Sequence, residues 1–193
     1  MPNIRKSIEI VICIQVMIIS AMIPVYFSLP IFNGNSQILE FPITWQIPLV
    51  ILITLIFNGQ VVGTAFTIYL LLGLFLIPVF YDGGSLGYLL TPNFGYLIGY
   101  YPIIIIIDNL KKKNRSIDIY SFLKSSFFGI ALMHIVGIFY SVIQNLYLQQ
   151  IDNLIYNISK YSLGKFGYHL LMLAPITLLI NIINRINKFK NDN

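Results

Sequence analysis

The stretch Pro42-Ile-Thr-Trp-Gln-Ile-Pro-Leu-Val-Ile-Leu-Ile-Thr-Leu-Ile-Phe57, followed by Asn58-Gly59-Gln60 and then Val61-Val-Gly-Thr-Ala-Phe-Thr-Ile-Tyr-Leu-Leu-Leu-Gly-Leu-Phe-Leu-Ile-Pro-Val-Phe80, decides how the chain is read. It holds two apolar runs divided by three residues. The second run is long enough to cross a bilayer, which takes about 20 apolar residues, and the first is short for a span. So short a break fits a tight helical hairpin. Working outward, residues 7–29 are apolar with scattered polar positions. A signal peptide begins in the same way, but this run is long and lacks a small-x-small cleavage site. Residues 30–40 read as a polar loop, and 81–93 as a glycine-rich one. A tyrosine-rich run ends at Lys111-Lys112-Lys113-Asn114-Arg115. A fifth run follows at 119–145, then a mixed segment at 146–165 read as a loop with an amphipathic turn, then a sixth run and a basic tail. The expectation is an all-α membrane protein with one domain over 1–193 and six transmembrane helices, at 7–29, 42–57, 61–80, 93–109, 119–145 and 166–186.

Composition agrees. Of 193 residues, 57% are hydrophobic and 10% charged, against roughly 25% charged in a soluble domain. So few charges cannot cover a soluble surface, whereas lipid can cover apolar helices. The net charge of +5 does not indicate nucleic acid, because the basic residues sit in short clusters between apolar runs, as the positive-inside rule expects. The single cysteine, Cys13, allows no disulfide within the chain.

Charge also gives a direction. With the N-terminus in the cytoplasm and six alternating helices, the inner segments hold Arg5, Lys6, the 111–115 cluster, Lys124, Arg185, Lys188 and Lys190, and the outer segments only Lys160 and Lys165. Both termini are expected inside, in a multi-pass protein of the inner (plasma) membrane. The Trp45 segment and the glycine-rich loop then share the outer face.

Those two segments carry the candidate site. Trp45 is either an interfacial anchor or a lid over a ligand, with Thr44 and Gln46 supplying hydrogen bonds. In Tyr81-Asp82-Gly83-Gly84-Ser85-Leu86-Gly87 three glycines in five residues permit close backbone approach and positive φ. Asp82 closes a span beside them, where a carboxylate is either a ligand contact or a wet loop residue. Thr91-Pro92-Asn93 reads as a helix start, with Thr91 as cap and Pro92 at the first position, and its N–H groups face the same outer cavity. Within the spans, Asp108 reads as the partner of Lys111. His134, among Gly129, Ala131 and Gly137, reads as a packing histidine with a satisfied hydrogen bond. His169 lies near the outer end of the last helix and within reach of the cavity. There is no HExxH, paired cysteine, GxSxG or Walker loop, and no metal or cofactor is expected.

Pro42-Ile-Thr-Trp-Gln46, Gly73-Leu-Phe-Leu-Ile-Pro78-Val-Phe80, Gly83-Gly84-x-x-Gly87 and Pro92-Asn-Phe-Gly95-Tyr96-Leu-Ile-Gly99 together resemble the BioY family, the biotin-binding S components of energy-coupling factor (ECF) transporters. Order and spacing match across the second to fourth runs, and weaker similarity continues from Gly129 to Tyr140. The resemblance implies a six-helix S component, not an enzyme, that captures biotin from outside with high affinity. It implies as partners a transmembrane coupling protein and a pair of ATPases, and a toppling of the S component in the membrane. Asp82 would accept from the ureido N–H groups, and Trp45, Tyr81 and Tyr96 would supply apolar walls. The carboxylate would meet the N-terminus of the fourth helix, or Lys160 and Lys165.

The chain departs from the family in two places. The Pro-Gly-Asp-like turn and following lysine that usually open the sixth helix are replaced by Phe166-Gly167-Tyr168-His169-Leu170-Leu171, where His169 or Tyr168 would substitute. The first helix lacks a clean Ala-x-x-x-Ala face for the coupling protein, and its small residues are Cys13, Ser20 and Ala21. Two other readings remain beside biotin. One is an S component or small permease for another vitamin or heterocycle. The other is a membrane enzyme using Asp108, His134 or His169, which requires those groups to converge in one cavity.

Overall fold

The computed structural model describes residues 2–30, 36–114 and 117–191. Residues 31–35 of the expected loop and Arg115 lie outside the described residues, as do the side chains of Arg185, Lys188 and Lys190. Helix α1 (Pro2–Met22) leads into an antiparallel hairpin of β1 (Pro24–Pro30) and β2 (Ser36–Thr44). Helices α2 (Gln46–Ile56) and α3 (Gly59–Phe75) follow, then a 3-10 turn (Leu86–Leu90). Helices α4 (Pro92–Ile98) and α5 (Tyr100–Lys113) make one broken helix, and α6 (Ile119–Tyr147) is the longest element. A last helical path runs through α7 (Leu154–Ile158), a π turn (Ser159–Leu163), α8 (Gly164–Leu171) and α9 (Leu173–Asn191). These six paths form a bundle, as expected.

The boundaries differ from the expected ones, and prolines explain most of the differences. The first helix ends at Met22 rather than 29, because the residue before Pro24 disfavours helix. The apolar residues beyond it form β1, with Val25 opposite Phe41 and Phe27 opposite Leu39. The second helix therefore starts at Gln46, since Pro42 to Thr44 belong to β2, and the Trp45 N–H donates to the Ile23 carbonyl at 3.2 Å. Helix α3 stops at Phe75 and the chain is irregular over 76–79, around Pro78. The α4–α5 break at Gly99 lies where the Pro102 ring meets the carbonyl of Ile98, four residues back. Pro175 acts in the same way on Leu171, and α8 gives way to α9 there. The segment expected as a loop at 146–165 is largely helical: the chain forms a continuous apolar helical path over Ile151–Ile182.

Packing follows membrane rules. On α6, Phe128, Leu132, Ile135, Phe139 and Ile143 are 41–67% exposed and suit lipid, while Ser126, Gly129, Met133, His134, Gly137 and Ser141 face inward. Lipid tails are as apolar as the side chains, so close backbone approach does much of the holding. A Cβ on Gly99 would lie 2.8 Å from the Met133 backbone, and one on Gly129 would lie 3.3 Å from Ile103 Cα. The small residues of α1 also turn inward. Cys13, Ser20 and Ala21 are buried, so they do not offer a small-residue face to a partner.

The end of the bundle at the α2–α3 turn is held by charge. The Gly59 N–H donates to Asp108 Oδ1 at 2.8 Å. Lys111 Nζ donates to the Thr54 carbonyl at 3.1 Å and to the Phe57 carbonyl. An anion thus sits at the start of α3 and a cation at the end of α2, each favoured by the helix dipole. The ion pair of Asp108 is with Lys112, at 2.5 Å, not with Lys111.

Candidate ligand-binding site

A cleft opens at the other end of α2. It encloses about 80 Å³ and opens at its mouth to the surroundings. Pro42, Ile43 and Thr44 of β2 form one wall, and Gln46 and Ile47 continue it. Tyr81 and Tyr88 come from the segment after α3, and Asn93, Tyr96, Leu97 and Tyr100 from α4 and α5. Met133 of α6 and Tyr161, Lys165 and His169 of the last path close it. Five tyrosines with a few polar groups make an apolar body with hydrogen-bonding edges.

Gln46 is buried and fixed. Its Nε2 donates to the Tyr69 hydroxyl at 2.9 Å, and its Oε1 accepts from the Tyr100 hydroxyl at 3.0 Å. Tyr69 donates onward to the Val79 carbonyl at 3.3 Å. An amide carries two N–H donors and two lone pairs, so among the described residues Gln46, which lines the cleft, keeps one of each unused.

The glycine-rich loop is built as a tight turn. Phe80 and Gly83 exchange backbone hydrogen bonds at 2.8 and 3.0 Å, with Gly83 at φ +110°, a conformation that suits glycine. Gly84 packs so closely that a Cβ would lie 2.6 Å from the Gly73 carbonyl oxygen and 2.7 Å from Pro78 Cα. This turn places Asp82 against Asn93, whose Nδ2 donates to Asp82 Oδ2 at 2.5 Å. Asn93 lines the cleft; Asp82 is exposed and does not. Its oxygen orients the amide that does.

On the last path, Lys165 and His169 both line the cleft, four residues apart. Lys165 Nζ sits 5.3 Å from the Tyr161 ring centre, a cation–π distance. Lys160 is exposed over Tyr156 and Tyr161. His169 Nδ1 lies 3.1 Å from His134 Nε2, and His134 Nδ1 lies 2.9 Å from Ser162 Oγ.

Of the residues singled out in the sequence, the fold brings Thr44, Gln46, Tyr81, Asn93, Tyr96 and His169 to one cavity. Gly83 and Gly84 shape the adjoining turn. Trp45 turns the other way, packing with Phe41 and Tyr168 on Val25, Ile43 and Met172. Thr91 does not cap α4 with its side chain; its hydroxyl donates to the Tyr88 carbonyl at 2.8 Å. Asp108, His134 and His169 do not converge. Asp108 sits at the α2–α3 turn, the opposite end of α2, and the two histidines meet beside the cleft. Tyr88, Tyr100, Tyr161 and Met133 had no local signal, being aromatic or apolar residues in apolar surroundings. Lys165 and His169 did have one, their i,i+4 spacing on a helix.

Comparison with known proteins now adds to this geometry. The chain is 30% identical over 99 residues to a protein named "Probable biotin transporter BioY" from Lysinibacillus sphaericus. That match covers 51% of this chain and 50% of the relative, so the aligned stretch spans about half the relative's length. Among solved structures, the S component for biotin from an ECF-type ABC transporter superposes with a TM-score of 0.61 at 18% identity, covering 97% of this chain and 93% of that one. That likeness shows the fold to be that of an ECF S component. The sequence model described as "BioY family" matches residues 1–179, nearly the whole chain, and the protein therefore belongs to the BioY family.

Proposed function

We propose that this chain captures biotin at the outer face of the inner (plasma) membrane, as the substrate-binding component of an ECF-type transporter. One observation carries the reading: a tyrosine-walled cleft that Gln46, Asn93, Lys165 and His169 all line. Biotin has a ureido ring with two N–H donors and a carbonyl, an apolar thioether ring and a carboxylate tail. The free N–H and lone pair of Gln46 match the ureido C=O and N–H, and Asn93 Oδ1 accepts the second N–H. The tyrosines enclose the thioether ring. Lys165, a cation lining the cleft, meets the carboxylate.

The remaining assignments follow from that pose. Thr44, Gln46, Tyr81, Asn93, Tyr96 and His169 contact the ligand. Asp82 acts through Asn93, Gly83 and Gly84 hold the turn, and Trp45 braces the β2 wall from outside. Charge asymmetry supports cytoplasmic termini, which turns the cleft outward and the Asp108–Lys111 end inward. A coupling protein and an ATPase pair supply the energy, and the chain itself catalyses no reaction.

The direct test is equilibrium binding of labelled biotin to the purified protein in nanodiscs. Saturable binding at micromolar ligand or below is expected. Its absence, together with saturable binding of thiamine or another heterocyclic vitamin, would replace biotin with that ligand.

A further inference from the structure

The two histidines, 35 residues apart in sequence, form part of a chain of hydrogen bonds that ends at the cleft. His134 and His169 are 4% and 8% exposed. Ser162 Oγ lies 2.9 Å from His134 Nδ1, and His134 Nε2 lies 3.1 Å from His169 Nδ1. His169 Nε2 remains, on a residue that lines the cleft. Ser162 sits in the π turn, an irregularity frequent at functional sites.

Each contact in such a chain holds one proton, so two neutral arrangements exist. In one, Ser162 donates to His134, His134 donates to His169, and His169 Nε2–H is left as a donor. In the other every bond runs backward and His169 Nε2 is an acceptor. An ordinary neutral histidine prefers its proton on Nε2. The forward order gives that form to both rings, the backward order to neither. In either order Ser162 Oγ keeps a lone pair that can accept from Tyr96, whose hydroxyl is buried without a well-aligned partner among the described residues and lies close to Ser162 and Ser141. Lys165, one turn before His169, lines the same cleft, with Asp82 and Lys160 near it.

We infer that Ser162 and His134 order the proton on His169, so that His169 Nε2–H stands as a fixed donor beside Lys165 and the two together bind a ligand carboxylate. This rests on the assignment of Lys165 to biotin's carboxylate. His169 contacts the ligand; His134 and Ser162 are positioning residues, and none of the three needs to ionise. Neither ring was read as part of a chain in the sequence, because nothing local links positions 134, 162 and 169.

The chain has two histidines, so ¹⁵N-histidine labelling gives two ring spin systems, and His134→Phe assigns both. Long-range ¹H–¹⁵N correlations at neutral pH, first without ligand, should show both rings neutral with the proton on Nε2. In His134→Phe, His169 should become a mixture of tautomers while the protein stays folded. Biotin affinity should fall about tenfold in His169→Leu, roughly 1.4 kcal/mol, and less in His169→Gln, which keeps a donor. Protons on Nδ1, a charged ring, or an unchanged His169 tautomer in His134→Phe would overturn the chain. Equal affinities of His169→Leu and wild type would remove the ligand contact. Wild type that binds no biotin would overturn the biotin reading alone, because the tautomers of the unliganded protein still decide the order of the chain.

Discussion

Replacing Gln46 by leucine keeps the bulk of the side chain and removes both of its polar ends. The Tyr69 hydroxyl then loses a donor but still donates to the Val79 carbonyl. The Tyr100 hydroxyl, on a residue only 8% exposed, loses its acceptor. An orphaned buried donor costs about 1–3 kcal/mol. Tyr100→Phe alone should cost about 1 kcal/mol, the net worth of one hydrogen bond. The double variant has no orphan, so its cost should fall short of the sum of the singles by about 1–2 kcal/mol, a coupling expected only of residues in contact. Reversible unfolding of the four proteins in mixed micelles measures this. Binding separates the ligand contact from the scaffold. Gln46→Leu should weaken biotin at least tenfold, about 1.4 kcal/mol, while Tyr100→Phe, which leaves the amide tied to Tyr69, should weaken it less. Additive stabilities would refute the buried network, and wild-type affinity in Gln46→Leu would refute its role as a ligand contact.

Asp82→Ala frees the Asn93 amide and should weaken biotin binding tenfold or more, about 1.4 kcal/mol; Asp82→Asn, which can still accept from Asn93, should lose less, and equal losses would show that the charge itself is read. Lys165→Met should weaken biotin about tenfold, again about 1.4 kcal/mol, and leave biotinamide unchanged in a competition assay; a parallel loss for both ligands would detach Lys165 from the carboxylate. Gly84→Ala forces a methyl against two backbone groups at 2.6 and 2.7 Å and should destabilise by about 1–3 kcal/mol, read as a lower unfolding midpoint; an unchanged midpoint would show that the turn can relax. Lys111→Met removes a cation from the carbonyls that end α2 and should cost about 0.3–1 kcal/mol without changing biotin affinity, since the cleft is at the other end of that helix.

Much of this fold is legible from apolar runs alone, because a bilayer leaves few ways to satisfy a backbone. The α2–α3 hairpin follows from Asn58-Gly59-Gln60, and the structure adds that Asn58 caps α3 by accepting from the Gln60 N–H at 2.9 Å. What the runs cannot give is where a path bends. Pro102 and Pro175 each sit inside a run that hydropathy treats as continuous, yet each breaks its helix four residues earlier, near Ile98 and Leu171. Gly129 and Gly137 of α6 were legible as packing residues. That they would meet Ile103 and Tyr96 was not, because that depends on the register between two helices far apart in sequence.

The β hairpin is the largest omission, and it explains why Trp45 was assigned to the cleft. Val25-Tyr26-Phe27-Ser28-Leu29 is apolar enough to prolong a membrane helix, and over five residues a helical and an extended period cannot be told apart. Read as helix, it leaves no strand beside an outer pocket, and the cover falls to Trp45, Tyr81 and Tyr96. Read as β1 paired with β2, it supplies that cover from backbone: Pro42, Ile43 and Thr44 line the cleft. The indole is then free to pack on the far side with Phe41 and Tyr168, whose rings stand 4.7 Å apart. That contact joins the hairpin to α8, the helix carrying Lys165 and His169. The tryptophan therefore bears on the cleft through the position of the strand and of α8, and in the proposed pose the polar contacts fall to Gln46, Asn93, Lys165 and His169.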